Sequence, residues 1–327
     1  LGIADLRFGI WDLGFGIWDW FACLTRLGYD KRMTAQSFQL ASLLLILLSC
    51  LSSYGEDISQ VAVVDDERIN EASGLAASYL YPGCAWVHND SGDKPRLFLI
   101  DADGKTKAVV KVDDADNVDW EDMCSFKTGD QSWLLIGDIG DNGRKRGDRG
   151  GKNPQCRLYL LHEPVIPDTK KTPSIEAKQT IRITFEYDDG PADCEGIAVD
   201  TERQEILLLT KSLPQKCGLY SMPLDLEDSK QKRTASRIAR PFIPFATALD
   251  ISPDGRTMAI GSMLNGMLVR RQPDESWSQA FNHVGTAVHL PPRKQGETIC
   301  FDVTGQSLFL NSEGKRQPLW RVEIPTP

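Results

Sequence analysis

From residue 57 onward the chain strings together short apolar or every-other-residue hydrophobic runs, and the 3.6-residue spacing of an amphipathic helix is nearly missing. Runs such as VAVVD, AWVHND, RLFLID, SWLLIGD, RLYLLHE, IRITFEY, EILLLT, TMAIGS and SLFLNS have strand length and are rich in branched and aromatic residues. Turn formers separate them, as in DADGK and SPDGR. The pattern predicts an all-β chain built of hairpins.

A long internal period underlies these strands. Five rows align: EASGLA from Glu71, DWEDMC from Asp119, DCEGIA from Asp193, FATALD from Phe245 and QGETIC from Gln295. Their third positions, Ser73, Glu121, Glu195, Thr247 and Glu297, are 48, 74, 52 and 50 residues apart. Four strands with their turns occupy about 40 to 50 residues, the length of a propeller blade. The expected fold is a single β-propeller over 56–327, with each row opening an innermost strand. Five blades are favoured, and six result if the long second interval hides another sheet. That interval holds two loop-like insertions, GDIGDNGRKRGDRGGKNPQ and EPVIPDTKKTPSIEAKQ. The last row is followed by three strands only, so QVAVVDD (Gln60 to Asp66) is expected to close the ring and remove an open sheet edge.

The first 55 residues follow other rules. Lys31 and Arg32, the apolar run Leu40 to Leu51 and the small residues Ser53 and Gly55 stand in the order of a secretory signal. The run is shorter than the ~20 residues a spanning helix needs. Residues 27–55 are therefore read as a signal peptide and 1–26, with the repeated FGIWD, as an upstream extension outside the working protein. The expected location is periplasmic or extracellular; a lipoprotein anchored at Cys50 is the alternative, because LLSC also fits a lipid-attachment signal. Six cysteines remain, Cys84, Cys124, Cys156, Cys194, Cys217 and Cys300, whose pairing the sequence does not choose. The net charge of -9 argues against nucleic-acid backbones as partners. A monomer without a transmembrane segment, taking a small-molecule or envelope ligand at the channel mouth, is the expectation.

In an up-and-down propeller the starts of the inner strands and the ends of the second strands surround one channel mouth. The expected cation ligands are Glu71, Asp119, Glu121, Asp193, Glu195 and Glu297. The expected catalytic carboxylates are Asp90 and Asp138, and the expected ligand-binding groups are Asn89, Asp93, Asp141, Asn142, Arg144, Lys211 and Glu313. Carboxylates converging on one axis repel unless a cation or protons neutralise them, and an all-oxygen set favours a hard divalent ion, Ca²⁺ first. Of the four histidines only His88 lies in this set, which disfavours zinc or iron held by imidazole. The competing reading is structural: Asp and Asn beside Gly shape turns, and a Glu at a strand start caps backbone or pairs with Arg. DADGK lacks the acidic twelfth position of a calcium loop, where Val112 stands, and reads as a hairpin. The run Asn142 to Lys152 offers Arg144, Lys145 and Arg146 to a phosphate, or is a solvated loop. The serine-elbow, H-E-x-x-H, P-loop and dinucleotide motifs are missing.

As a set, EASGLAAS, HNDSGDKPRLFLID, DWEDM, IGDIGDN and ISPDGRTMAI resemble a family of exported bacterial β-propeller proteins of largely unassigned function, over Glu71 to Glu313. More distantly, DCEGIAVD is similar to blade-opening segments of the esterase-like phytase family and of the gluconolactonase and regucalcin group. That resemblance implies a divalent cation at Glu195 and, through the repeat, at Glu121 and Glu297. It points to a metal-dependent hydrolase of phosphoester, ester or lactone substrates; the alternative is a non-catalytic binding propeller whose cation is structural. Ser73 and Thr247 depart from the Glu pattern, and neither a lactonase His nor a run of phytase phosphate ligands is found.

Overall fold

The computed structural model describes residues 57–146, 155–213, 216–227, 232–263 and 265–324. The expected signal peptide, the upstream extension and Cys50 lie outside the described residues. The chain opens with β1 (Ile58–Val63) and then runs through successive antiparallel arrays. The first comprises β2 (Ala72–Ala77), β3 (Ala85–Asn89), β4 (Arg96–Ile100) and β5 (Thr106–Val112). The next comprises β6 (Trp120–Thr128), β7 (Gln131–Asp138) and β8 (Cys156–His162), and after β9 (Ser174–Ala177) it takes up β10 (Ile181–Tyr187). Then come β11 (Cys194–Asp200), β12 (Glu205–Thr210), β13 (Leu219–Pro223) and β14 (Arg233–Ala239). Another array holds β15 (Ala246–Ile251), β16 (Thr257–Ser262), β17 (Gly266–Arg270) and β18 (Thr286–Val288), with the one-turn helix α1 (Trp277–Ala280) before its last strand. The chain ends in β19 (Cys300–Phe301), β20 (Ser307–Leu310) and β21 (Pro318–Glu323).

The inner strands β2, β6, β11, β15 and β19 adjoin one another in cyclic order, which makes the molecule a β-propeller. Closure follows the expected route: β1 pairs antiparallel with β21, Ile58 opposite Val322 and Val63 opposite Pro318. The core accordingly lies in layers between neighbouring arrays. Trp86, Leu97 and Leu99 meet Met123, Leu134 and Tyr159 in one layer, and Leu208 and Tyr220 meet Leu135 and Leu158 in the next. Inner strands are covered on both faces, so β2, β11 and β15 are buried along their whole length and lose the in-out alternation that the outer β10 keeps. Close approach also selects small residues. A Cβ on Gly196 would lie 2.8 Å from the Leu249 Cβ of the next inner strand.

Two outer-edge pairings were not legible in the sequence. The second insertion is not all loop: its β9 adds to the first array in parallel with β5, Val109 opposite Ser174. The parallel pair β10 and β14 joins two arrays into one eight-stranded sheet. Buried ionic contacts add further ties. Arg271 Nη1 donates to Asp200 Oδ2 at 2.6 Å, Trp277 Nε1 donates to the same oxygen at 2.8 Å, and the guanidinium lies 4.6 Å from the Trp277 ring centre. Glu163 accepts from Trp86 Nε1 at 2.9 Å and from the Tyr79 and Leu80 amides, clasping the first array to the second. DADGK is a hairpin, as expected: Asp101 Oδ1 accepts from the Asp103 and Lys105 amides, and Gly104 has φ +77°. All six described cysteines are free thiols, five of them buried and Cys84 half-buried.

Candidate functional site

The repeated third position has a structural cause. In β2, Ala72 pairs with Asn89 and Gly74 with His88, so Ser73 is an extra, unpaired residue. The same skip occurs at Glu121 between Trp120 and Asp122, at Glu195 between Cys194 and Gly196, and at Thr247 between Ala246 and Ala248. Each is a β-bulge, which bends the strand and re-aims one side chain out of the pleat. Where that residue is a hydroxyl it ties its strand to the next row: Ser73 Oγ donates to the Glu121 carbonyl in β6, and Thr247 Oγ1 to the Gly296 carbonyl ahead of β19 at 2.9 Å. Where it is a glutamate, a buried carboxyl is left facing other carboxyls.

Three of these groups form a compact oxygen cluster. Asp90 after β3, Asp119 before β6 and Glu121 in its bulge offer carboxylate oxygens within 4.8 Å of one another. The backbone makes room for them, since a Cβ on Gly140 would overlap Glu121 Oε1 and stand 2.6 Å from Asp119 Oδ2. GDIGDN therefore brings a glycine against the carboxylates as well as a turn. Glu195 faces the same space from its own bulge. Its Oε1 is buried and accepts no hydrogen bond of good geometry, although Lys211 Nζ lies 3.1 Å away as an ion pair.

The electrostatics follow from burial and like charge. Asp119 is pushed up to about 6, by burial first and then by the Asp90 charge, with Arg146 opposing. Burial also drives Glu121 well above the carboxylate range, helped by Glu195, Asp90, Asp119 and Glu297. Glu195 rises to about 8 through burial, against the pull of Lys211. Glu313 rises to about 8 through burial and a hydrogen bond shared with Glu297. Asp90 and Asp193 are raised by burial too, while the Lys211 ammonium is held above its usual range because Glu195, Glu297 and Glu121 outweigh its own desolvation. Without a cation, such a set keeps protons.

The remaining expected residues sit around this centre in different roles. Glu71 is exposed, at the rim, where it adds to the negative field on Asp90 and Glu313. Asn89 is fully occupied: its Oδ1 accepts from the Asn70 and Glu71 amides, and its Nδ2 donates to the Arg68 carbonyl and Asp93 Oδ2. Asp93 pairs with Arg96 at 2.7 Å, which with Asn89 holds its carboxyl below the usual range despite burial. Asp138 is buried behind the cluster, accepting from the Asp119 amide at 3.0 Å and pairing with Arg146 at 2.9 Å. Asp141 shapes its loop through the Lys145 and Arg146 amides, and its own amide donates to Asp193 Oδ1 at 2.8 Å. Asn142 is exposed, and Arg144 reaches Ser212 Oγ at 3.4 Å.

Asp122 and Asp250 are among the buried acids that the sequence did not single out. Asp122, next to the bulge, sends Oδ2 to the Ile197 amide at 2.8 Å and the Leu249 amide at 3.2 Å, stitching β6 to β11 and β15. Asp250 accepts from the Phe301 and Ile251 amides and is pushed up to about 7 by burial. The rows held a signal for Asp122: the aligned fourth positions are Gly74, Asp122, Gly196, Ala248 and Thr298, and an acid is out of place in that small-residue series. His88 stacks edge-on with Trp120 and is held down to about 4 by burial, in space left by Gly74. It is a neutral core ring.

No family model and no curated protein matches this chain. Solved structures give fold-level likenesses only. A gluconolactonase from Xanthomonas campestris aligns at 11% identity and TM-score 0.45 over 83% of this chain and 91% of its own. A luciferin-regenerating enzyme aligns at 11% identity and TM-score 0.41 over 83% and 96%, and the WD40 domain of Neurospora crassa Pan2 at 11% and 0.41 over 84% and 98%. Among the described residues no helix is long and apolar enough to cross a membrane.

Proposed function

We propose that this is an exported β-propeller hydrolase whose acidic channel mouth binds a divalent cation, calcium in first place, and which acts on phosphoester, ester or lactone substrates. The observation that carries the reading is the Asp90, Asp119 and Glu121 cluster, with the buried Glu195 carboxyl, paired with Lys211, beside it. The donors fit a hard ion: they are oxygens, they lie close together, and Gly140 leaves the space they need. A bound cation would polarise the substrate oxygen.

The chain's own groups divide the remaining work. Asp90, Asp119 and Glu121 are assigned to the ion, while Asp138 acts through the Asp119 amide and positions it. Glu195 faces the cluster and is raised to about 8, close to the working range of a general base, so it is the candidate base. Lys211, 3.1 Å from it, is placed to stabilise negative charge developing on the substrate. The resemblance of the motif set to exported bacterial propellers supports location and fold class in this reading.

Asp122, Ser73 and Thr247 favour a second reading, in which the cation only holds inner strands together around the axis and the exposed face binds an envelope partner. Melting the purified protein in EDTA and then in Ca²⁺, Mg²⁺ or Mn²⁺, followed by phosphoester and lactone assays, separates the two. A calcium-specific rise in Tm with turnover that Glu195→Gln abolishes supports the hydrolase. The same rise without turnover supports the structural cation, and no rise overturns both.

A further inference from the structure

Beside the acidic mouth lies a cavity of opposite character, about 200 Å³, between the loop after β7 and the third array. Its lining includes Arg144, Lys216, Arg237 and Arg240, in a protein whose net charge is -9. Two acids also line it, one paired with a cation of the lining and the other hydrogen-bonded to an amide. Asp189 pairs with Arg237 and accepts from Tyr220 Oη at 2.9 Å; Asp193 Oδ1 accepts from the Asp141 amide. Arg237 is further anchored by two hydrogen bonds to Tyr220 Oη, at 3.1 and 2.5 Å. Among the described residues neither Lys216 nor Arg240 forms an ion pair, and Arg144 has only its long contact to Ser212.

Arg144 is also preorganised. It has φ +49°, a left-handed conformation unfavourable for a non-glycine residue. Asp141 enforces that turn: its carbonyl accepts from the Arg144 amide at 2.7 Å, and its carboxylate accepts from the Lys145 and Arg146 amides at 2.8 Å each. Arg146 turns inward to Asp138 while Arg144 turns to the cavity, so the loop sorts neighbouring cations between two sites. Asp193 borders both, within the fields of Lys211 on the channel side and Arg144 on the cavity side.

We infer that this cavity is a binding site for an oxyanion, a carboxylate or phosphate group, carried by Arg144, Lys216 and Arg240. Guanidinium forks match the paired oxygens of such groups, and the cations of the lining, Arg144, Lys216, Arg237 and Arg240, outnumber its carboxylates, Asp189 and Asp193, which leaves positive charge to supply the attraction. Placed next to the cluster of Asp90, Asp119 and Glu121, it assigns the substrate a charged end lying away from its reacting bond; this last step rests on the hydrolase reading, whereas the anion site itself does not.

The test is calorimetric titration with inorganic phosphate, and separately with acetate, in EDTA at fixed ionic strength. The proteins are wild type, the double variant Lys216→Gln/Arg240→Gln, and Glu121→Gln. Wild type is expected to bind phosphate saturably, the double variant at least about tenfold more weakly with its Tm unchanged, and Glu121→Gln as wild type does. Absence of saturable binding of either anion by wild type, or equal affinity in the double variant, overturns the inference. Anion binding in a protein whose Tm does not respond to calcium upholds the cavity and overturns the hydrolase reading alone.

Discussion

Replacing Glu121 by Gln separates the metal-binding reading from a purely structural one. In the cation-free protein burial and the neighbouring carboxylates raise the Glu121 carboxyl well above its usual range, which favours its neutral form. Gln is a neutral group of nearly the same shape, so its cost in EDTA is expected within about 1 kcal/mol. With calcium the situation reverses, because the ion favours the ionised form of Glu121 beside Asp90 and Asp119 and so makes three anionic ligands. At a hundredfold excess over Kd, binding adds about 2.7 kcal/mol of stability. For a domain of this size 1 kcal/mol moves Tm by about 2–4 °C, so the expected rise is about 5–10 °C. Glu121→Gln should show less than a quarter of it. Differential scanning fluorimetry at pH 7.5, in EDTA and with saturating CaCl₂, reads both quantities on one plate. A variant that keeps the full calcium rise would refute the placement of the ion at this cluster.

Three further outcomes are expected. Glu195 binds its proton more tightly folded than unfolded, with its pKa raised from 4.5 to about 8; the stability this lends is complete below pH 4.5 and is lost as pH rises towards 8. In EDTA the Tm should therefore fall across that window, and calcium at the neighbouring Asp90, Asp119 and Glu121 cluster, whose charge favours the ionised form of Glu195, should flatten or reverse the slope; a flat profile in EDTA contradicts the burial argument. Arg271→Met leaves the buried Asp200 charge without its partner and should cost about 3–5 kcal/mol in urea unfolding, while Asp200→Asn/Arg271→Met together should recover part of that loss. Gly140→Ala forces its Cβ into Glu121 Oε1, so calcium affinity should drop at least about tenfold, about 1.4 kcal/mol, with the fold retained by circular dichroism.

Much of the propeller can be read from residues alone because its repeat is a packing requirement. Every array must present an inner strand that fits between two neighbours, so small and apolar residues recur at Gly74, Gly196 and Ala248, and turns recur between strands. The closing role of β1 followed from counting strands after the last row. The acidic third position was visible for the same reason. What made it point inward was not visible, since a bulge is a matter of register between two strands and leaves no composition of its own.

Pairing at the outer edges was hidden likewise. β9 reads as part of a loop, and only the exposed edge of β5 gives it a partner. The sorting of carboxylates also needed the folded chain: Asn89, Asp93 and Asp141 look like ligands in HNDSGD and GDIGDN but spend their oxygens on neighbouring amides and on Arg96. Local patterning thus determines which strands exist, how they repeat and which face gathers acids, because those depend on contacts each row makes in the same way. Which acids share one small volume, which are neutralised by Lys211 or Arg146, and where a positive cavity opens beside them depend on residues from different arrays. Coulomb interactions fall with distance through space and take no account of distance along the chain, so ring closure alone decides them.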